Sequence, residues 1–256
     1  ATTEIYTLSL HDALPIYSIS DNGIATPQSH ISFYSFRSGK YLSIGEAGVI
    51  VCRNPDFLTR IMSMVDTFPE SSYVMEIITC FLTYFKSCFY KRPLYGVVGL
   101  PIGRILDAKM NLTGKSGFHV KKILKSALYL TQHKLNSFKD KVDQQIENSH
   151  FLANKIADKS LLLIDDVSGN KANWYQFPLS FQSENQRDAA YEALVVRGID
   201  CAKYLDEVVA TAYAEYGYSG DCPMAEKRAK TTLCIPNYYT LKQKDLDKIF
   251  RAINDL

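Results

Sequence analysis

Apolar and polar positions follow two rhythms along this chain. Between His30 and Cys52 (HISFYSFRSGKYLSIGEAGVIVC) a β-rich run ends in a turn containing Ser35, Arg37, Ser38, Gly39 and Lys40. A Gly45-Glu46-Ala47-Gly48 reversal then leads into a second apolar run. Alternation places Ile31, Phe33 and Ser35 on one strand face and Ser32, Tyr34 and Phe36 on the other. Beyond it the period lengthens. The Asn54-Pro55-Asp56 turn opens a helix through Phe57, Leu58, Ile61 and Met64. A helical pattern, in one helix or more, runs from Val120 to Ile156 with Leu124, Ala127, Leu128, Leu135, Phe138, Val142 and Ile146 on one side.

The last hundred residues alternate between the two rhythms. Trp174–Phe181 (WYQFPLSF) reads as a strand. Ser183 with Gln186 forms a capping box for a helix that stops at Arg197-Gly198. Ile199–Ala202 reads as a short strand, Glu226–Lys230 as part of a short helix, and Thr231–Ile235 as a strand stopped by Pro236. Thr240 with Gln243 is expected to cap a final helix carrying Leu246, Ile249, Phe250 and Ile253. That is a small α+β unit.

Composition excludes several classes. With 46% hydrophobic and 22% charged residues, the chain has the material for a globular core. A net charge of +2 gives no electrostatic case for nucleic acid or a membrane surface. The richest apolar stretch, Tyr73–Tyr90, includes Glu76 and Lys86. Both charges fall within the span of about 20 apolar residues that a bilayer demands, so it predicts a buried or interface helix instead. Cys52, Cys80, Cys88, Cys201, Cys222 and Cys234 show no C-x-x-C pair and no histidine at ligand spacing; reduced core thiols in a cytoplasmic protein are expected, and no metal site.

The first residues, ATTEIYTLSLHDALPIY, resemble translated sequencing-adapter sequence, and no initiator methionine is present. Residues 1–17 are therefore expected to be non-native, with the natural protein beginning further upstream. The expected domains are 18–150, a remnant of a larger domain with a long helix, and 151–256, the small α+β domain. Residues 66–119 give no clear pattern.

Taken alone, the His30–Cys52 stretch is a hairpin with a lysine in its turn. In detail, SFYSFRSGKYLSIGEAGVIV resembles the cofactor-lysine segment of the DegT/StrS-type sugar aminotransferases. That family has a Ser-Phe strand end, a lysine five residues after the serine, a glycine-rich reversal and a valine-rich strand. The far end agrees independently. VVRGIDCAKYL and CPMAEKRAKTTLCIPNYYTLKQKDLDKIFRAIN are similar to the family's C-terminal domain, with its Cys-Pro-x-Ala-Glu helix start, strand ending in proline and closing helix.

The resemblance implies an α/β fold: the C-terminal part of a fold type I pyridoxal-phosphate-dependent transferase, with part of its large-domain sheet and its small domain. It implies that Lys40 binds the cofactor covalently and later moves protons, and that Ser35 donates to the cofactor phosphate. Arg37 is either a second phosphate neighbour or an exposed turn residue. A lysine here, where the family's dehydratases have histidine, argues for transamination. The implied substrates are glutamate as donor and a nucleotide-linked keto sugar as acceptor, on a cytoplasmic homodimer serving cell-surface polysaccharide biosynthesis.

Several of the family's parts have no counterpart. Asp12 stands at the spacing of the acid that faces the pyridine nitrogen, but within residues 1–17, and Asp21 is too close to Lys40. The phosphate loop and the ring-stacking aromatic would precede residue 1. The Asn-Tyr-Arg-like element is not recognisable around Phe118-His119, where His119 reads as a surface or helix-start residue, and Ala47 replaces a reversal glycine. Gly114-Lys115-Ser116 imitates a phosphate loop with Lys109 in place of its first glycine. Glu184 and Asp188 read as surface carboxylates, and Tyr238-Tyr239 as core or cleft. The chain alone is expected to bind the cofactor weakly or not at all. The alternative is an inactive truncated or divergent member, with Tyr73–Tyr90 in an interaction role.

Overall fold

The computed structural model describes residues 19–20, 23–24, 31–36, 40–42, 48–52, 54–70, 72–89, 94, 96, 98, 121–164, 172–203 and 205–256. It divides into two compact units, one of Ala1–Leu14 and Gln28–Asn136 and the other of Pro15–Pro27 and Ser137–Leu256.

In the first unit, β3 (Ile31–Ser35) pairs antiparallel with β4 (Gly48–Cys52), from Ile31 opposite Cys52 to Ser35 opposite Gly48. The Asn54 side chain accepts the Asp56 amide at 2.9 Å and Pro55 takes the first helical position, so α1 (Pro55–Asp66) starts where the turn places it. None of the α1 residues is buried. Next come α2 (Tyr73–Phe89) and α3 (Lys125–Leu135). Glu76 on α2 accepts the Ser126 amide at 2.6 Å, and this bond holds its carboxyl below the usual carboxylate range. Lys122 pairs with Glu70 at 3.2 Å. Tyr73–Phe89 is thus a helix as expected, and of the two expected placements, buried or interface, burial within its own unit is not found: Val74, Ile77, Ile78, Phe81, Leu82 and Phe85 are exposed.

The second unit begins with the short pair β1 (Ile19–Ser20) and β2 (Gly23–Ile24). The Val120–Ile156 pattern resolves into two helices, α3 and α4 (Phe138–Lys155), with the break at Asn136-Ser137. A short sheet pairs β5 (Phe177–Ser180) antiparallel with β6 (Thr232–Ile235), Phe177 opposite Ile235. Alternation buries Phe177 and Leu179 on β5, whereas all four β6 residues are buried. Helices α5 (Glu184–Val196), α6 (Asp206–Glu215), α7 (Pro223–Thr231) and α8 (Gln243–Asn254) complete the unit. Its core joins Leu152 of α4 and Ile156 just after it, Leu194 of α5, Leu233 of β6 and Leu246 and Ile249 of α8. Asn254 locks two elements: its Oδ1 accepts the Ala157 amide at 2.8 Å, and its Nδ2 donates to the Lys155 carbonyl at 3.0 Å.

Most expected boundaries hold, and the departures have local causes. The expected strand Ile199–Ala202 is a single bridge between Ala202 and Cys234, because the chain leaves the sheet after that one pair of hydrogen bonds. Thr231 closes α7 instead of opening β6. Thr240 does not cap α8. Lys242 is the capping residue, and Asp245 Oδ2 accepts its amide at 3.2 Å. Of the cysteines only Cys201 and Cys234 are buried core thiols, both pushed up to about 11 by burial; Cys80 and Cys222 are exposed, and Cys52 and Cys88 half-buried.

The α5 terminus follows the sequence closely. Gly198 sits at φ 69°, its amide donates to the Val195 carbonyl at 2.8 Å, and the Ile199 amide donates to Leu194 at 3.0 Å. A Cβ at Gly198 would meet only the flexible end of Lys248, at 3.3 Å, so backbone strain decides the effect of substitution. Gly198→Ala is expected to cost about 1–2 kcal/mol in urea unfolding, and an unchanged midpoint would refute this account of the cap.

Candidate functional site

The hairpin carries the candidate chemistry. Ser35 ends β3 at 4% exposure, opposite Gly48, and is followed by the buried Phe36. Lys40 is half-buried and enters a turn with Tyr41 and Leu42, of which Leu42 is buried at 3%. A hydroxyl is therefore buried at the end of β3, and the half-buried amine of Lys40 lies in the following turn, between the buried Phe36 and Leu42 in sequence. Arg37, Ser38, Gly39 and the reversal residues Gly45, Glu46 and Ala47 lie outside the described residues, as do Asp12, Asp21, Lys109, Gly114-Lys115-Ser116 and Phe118-His119.

The C-terminal motif is built around Glu226. Pro223 takes the first position of α7 and places Glu226 in its first turn. Glu226 Oε1 accepts the Tyr213 hydroxyl at 3.1 Å and the Tyr218 hydroxyl at 3.0 Å, while Tyr218 Oη accepts the Cys222 amide at 2.9 Å. Loss of water, with Glu226 adding to it, pushes the Tyr218 hydroxyl up to about 12. Gly220, at φ 82°, lets the Tyr213 hydroxyl approach to 2.6 Å of where a Cβ would stand. The motif thereby ties α6, the following loop and α7 together.

Two clusters were not legible in the sequence. Arg187 is 1% exposed; its guanidinium pairs with Asp206, Asp188 and Glu184, and Lys203 pairs with Asp188 at 2.9 Å. Glu184 and Asp188, expected as surface carboxylates, thus attend a buried cation. The second cluster surrounds the Trp174 carbonyl, which accepts Gln145 Nε2 at 3.0 Å and Asn237 Nδ2 at 2.6 Å. Tyr238 and Tyr239 are both exposed; the Tyr238 carbonyl accepts Asn148 Nδ2 at 2.8 Å, and Lys141 stands 5.6 Å from the Tyr239 ring centre.

A family model described as the DegT/DnrJ/EryC1/StrS aminotransferase family matches residues 108–254. Among solved structures, the chain is similar to the aminotransferase TlmJ from Streptoalloteichus hindustanus, with 16% identity and a TM-score of 0.64, covering 93% of this chain and 55% of that one. It is similar to the sugar aminotransferase CalS13 from Micromonospora echinospora at 14% identity and a TM-score of 0.64, again covering 93% and 55%. It is also similar to Spr1654 from Streptococcus pneumoniae in its PLP form, at 11% identity and a TM-score of 0.66, covering 95% and 56%. Identities this low speak to the fold alone. The mixed helix–strand chain spans about half the length of the solved structures it matches, consistent with the C-terminal part of such a fold. No curated protein matches the sequence.

Proposed function

Because the chain belongs to the DegT/DnrJ/EryC1/StrS aminotransferase family, we propose that it is part of a pyridoxal-phosphate-dependent sugar aminotransferase whose cofactor lysine is Lys40. The observation that carries this reading is the hairpin: buried Ser35 at the strand end and half-buried Lys40 on the next turn. A hydroxyl donor at a strand end and a primary amine on the turn that follows suit a ligand with a phosphate and a carbonyl carbon. Ser35 Oγ would donate to a phosphate oxygen, and Lys40 Nζ would hold the cofactor's carbonyl carbon covalently with loss of water and, once released from it, would take up and return a proton. When bound, pyridoxal phosphate supplies the electron sink for bond changes at the substrate carbon.

The proposal extends to glutamate as donor, a nucleotide-linked keto sugar as acceptor, a cytoplasmic location and a homodimer at full length. Among the described residues no helix is long and apolar enough to cross a membrane.

A chain extended upstream to the length of its relatives is expected to carry a cofactor absorbance band that co-elutes with protein. Lys40→Ala should abolish the band, and Ser35→Ala should weaken cofactor affinity by about tenfold, the worth of one charge-assisted hydrogen bond. An extended wild-type chain without the band would sink the enzyme reading. The exposed face of α2 favours a second reading, a divergent member used for interaction, and that outcome would support it.

A further inference from the structure

Charge is not spread evenly along this chain. From the first residue of α2 to the first of α3, Tyr73 to Lys125, nine lysines and arginines stand against Glu76 and Asp107. That stretch carries a net +7, so the +2 of the whole chain leaves −5 for the remainder. It opens with α2, whose apolar residues fill about 200° of its circumference at 100° per residue. Val74, Phe81 and Phe85 lie at the centre of this arc, and Tyr73 and Tyr84 along one margin. The arc is uncovered, with Phe81 64% and Phe85 52% exposed. Its exposed side chains present about 1,000 Å², against about 300–600 Å² for the largest apolar patch on an ordinary monomer. The Glu76–Ser126 bond, at 2.6 Å, ties the first turn of α2 to the start of α3, where Lys121 and Lys125 are exposed. Lys122 between them pairs with Glu70 at 3.2 Å. Helix α2 precedes the family-matched residues 108–254.

From the uncovered apolar arc and the positive charge segregated beside it, we infer that α2 lies in the surface of an anionic phospholipid bilayer. Charge complementarity is the first argument. Basic residues next to an amphipathic helix are drawn to the negative surface of a leaflet rich in anionic lipid, and the −5 of the remaining chain turns away from it. The width of the arc is the second. A helix about 10–12 Å across, sunk about 5–10 Å into the boundary of head groups and acyl chains, wets about half its circumference. A protein contact needs a stripe of only about 100°. The order of residues across the arc is the third: phenylalanine and valine at its centre suit acyl chains, and tyrosines at its margin suit the wet boundary. Length fixes the orientation. At 17 residues, α2 is about 26 Å long, short of the about 30 Å of a hydrocarbon core, so the helix lies along the bilayer instead of crossing it. The inference is independent of the Lys40 reading.

The test is flotation of the 256-residue chain with vesicles of phosphatidylcholine, alone or with about one-quarter phosphatidylserine. The chain should float with the mixed vesicles and bind them at least tenfold more tightly than phosphatidylcholine alone. Raising NaCl from about 0.1 to about 0.5 M should erase most of that difference. Phe81→Asp with Phe85→Asp should lower binding to both vesicles at least tenfold, with the helical circular dichroism unchanged. Lys121→Glu with Lys125→Glu should lower binding to the mixed vesicles alone, and Met224→Asp, exposed on α7, should change neither. The chain extended upstream to the length of its relatives should float as well. Failure to float, equal binding to both vesicles, or binding indifferent to the α2 variants would each overturn the inference. So would an extended chain that no longer floats, or α2 variants that break a protein–protein complex and leave flotation intact.

Discussion

Replacing Arg187 with alanine is expected to lower the unfolding free energy of the second unit by about 3 kcal/mol and its midpoint by about 10 °C. The side chain is 1% exposed, and its guanidinium joins Glu184 and Asp188 of α5 to Asp206 at the start of α6. Two terms oppose each other in the variant. Losing the cation removes the partner of Glu184 and Asp206 and one of the two partners of Asp188, and leaves a void where the guanidinium stood. The carboxylates, however, are 36–51% exposed and regain part of their hydration. The cost therefore falls at the low end of the 3–5 kcal/mol seen when a fully buried pair is broken. Arg187→Met restores volume without charge and should recover about half of that loss. Urea unfolding followed by the fluorescence of Trp174, the chain's single tryptophan, measures both. A loss below about 1 kcal/mol for the alanine variant would show that α6 docks without the cluster.

Acid supplies the second arm of this prediction. The hydrogen bond from Lys203, followed by the charge of Arg187, holds the Asp188 carboxyl below its ordinary value of 3.8. A depressed carboxylate contributes stability that is fully present above its unfolded value and lost as pH falls through the folded one. Stability of the second unit should therefore decline below about pH 4, and Lys203→Met should flatten that decline while lowering stability at pH 7. A Lys203→Met profile parallel to wild type would remove Asp188 from the account.

Legibility followed the range of the forces. Caps and turns act over a few residues, so Asn54-Pro55, the Ser183 cap and the Gly198 terminus stand where the sequence puts them. The apolar periods located β3, β4, β5, β6, α5 and α8 to within a few residues. Hydrophobicity also located α2 without deciding between burial and an interface, because a pattern reports which arc is apolar and not which neighbour covers it. Thr240 failed as a cap because Asp245 offered Lys242 the bond one turn later. The site divided in the same way. The Ser35–Lys40 hairpin was found from a motif, whereas the Arg187 cluster joins residues 184, 187, 188, 203 and 206 across a loop and has no contiguous signature. The Trp174 network spans residues 145 to 237 and depends wholly on tertiary placement.

That network gives the other large expected effect, a loss of about 2–3 kcal/mol for Asn237→Ala. Trp174 is buried at 3% with φ 49°, a left-handed backbone that costs a side-chain-bearing residue about 1–2 kcal/mol. Stacking on Phe177, with ring centres 5.2 Å apart, keeps the indole in the core, and the backbone must turn to allow it. Asn237 offsets the strain by donating to the Trp174 carbonyl at 2.6 Å and to Ser149 Oγ at 2.9 Å, next to β6 and α4. Gln145 donates to the same carbonyl at 3.0 Å and to that of Tyr175 at 3.2 Å. Because the two amides share an acceptor, their removals should not add. After Asn237→Ala the carbonyl keeps Gln145, and after both substitutions it is buried without either donor. Gln145→Ala should therefore cost more in the Asn237→Ala background than in the wild type, by about 1 kcal/mol. Strict additivity in this double-mutant cycle would show that the two amides act through separate groups, and that the strained tryptophan is held by its ring contacts alone.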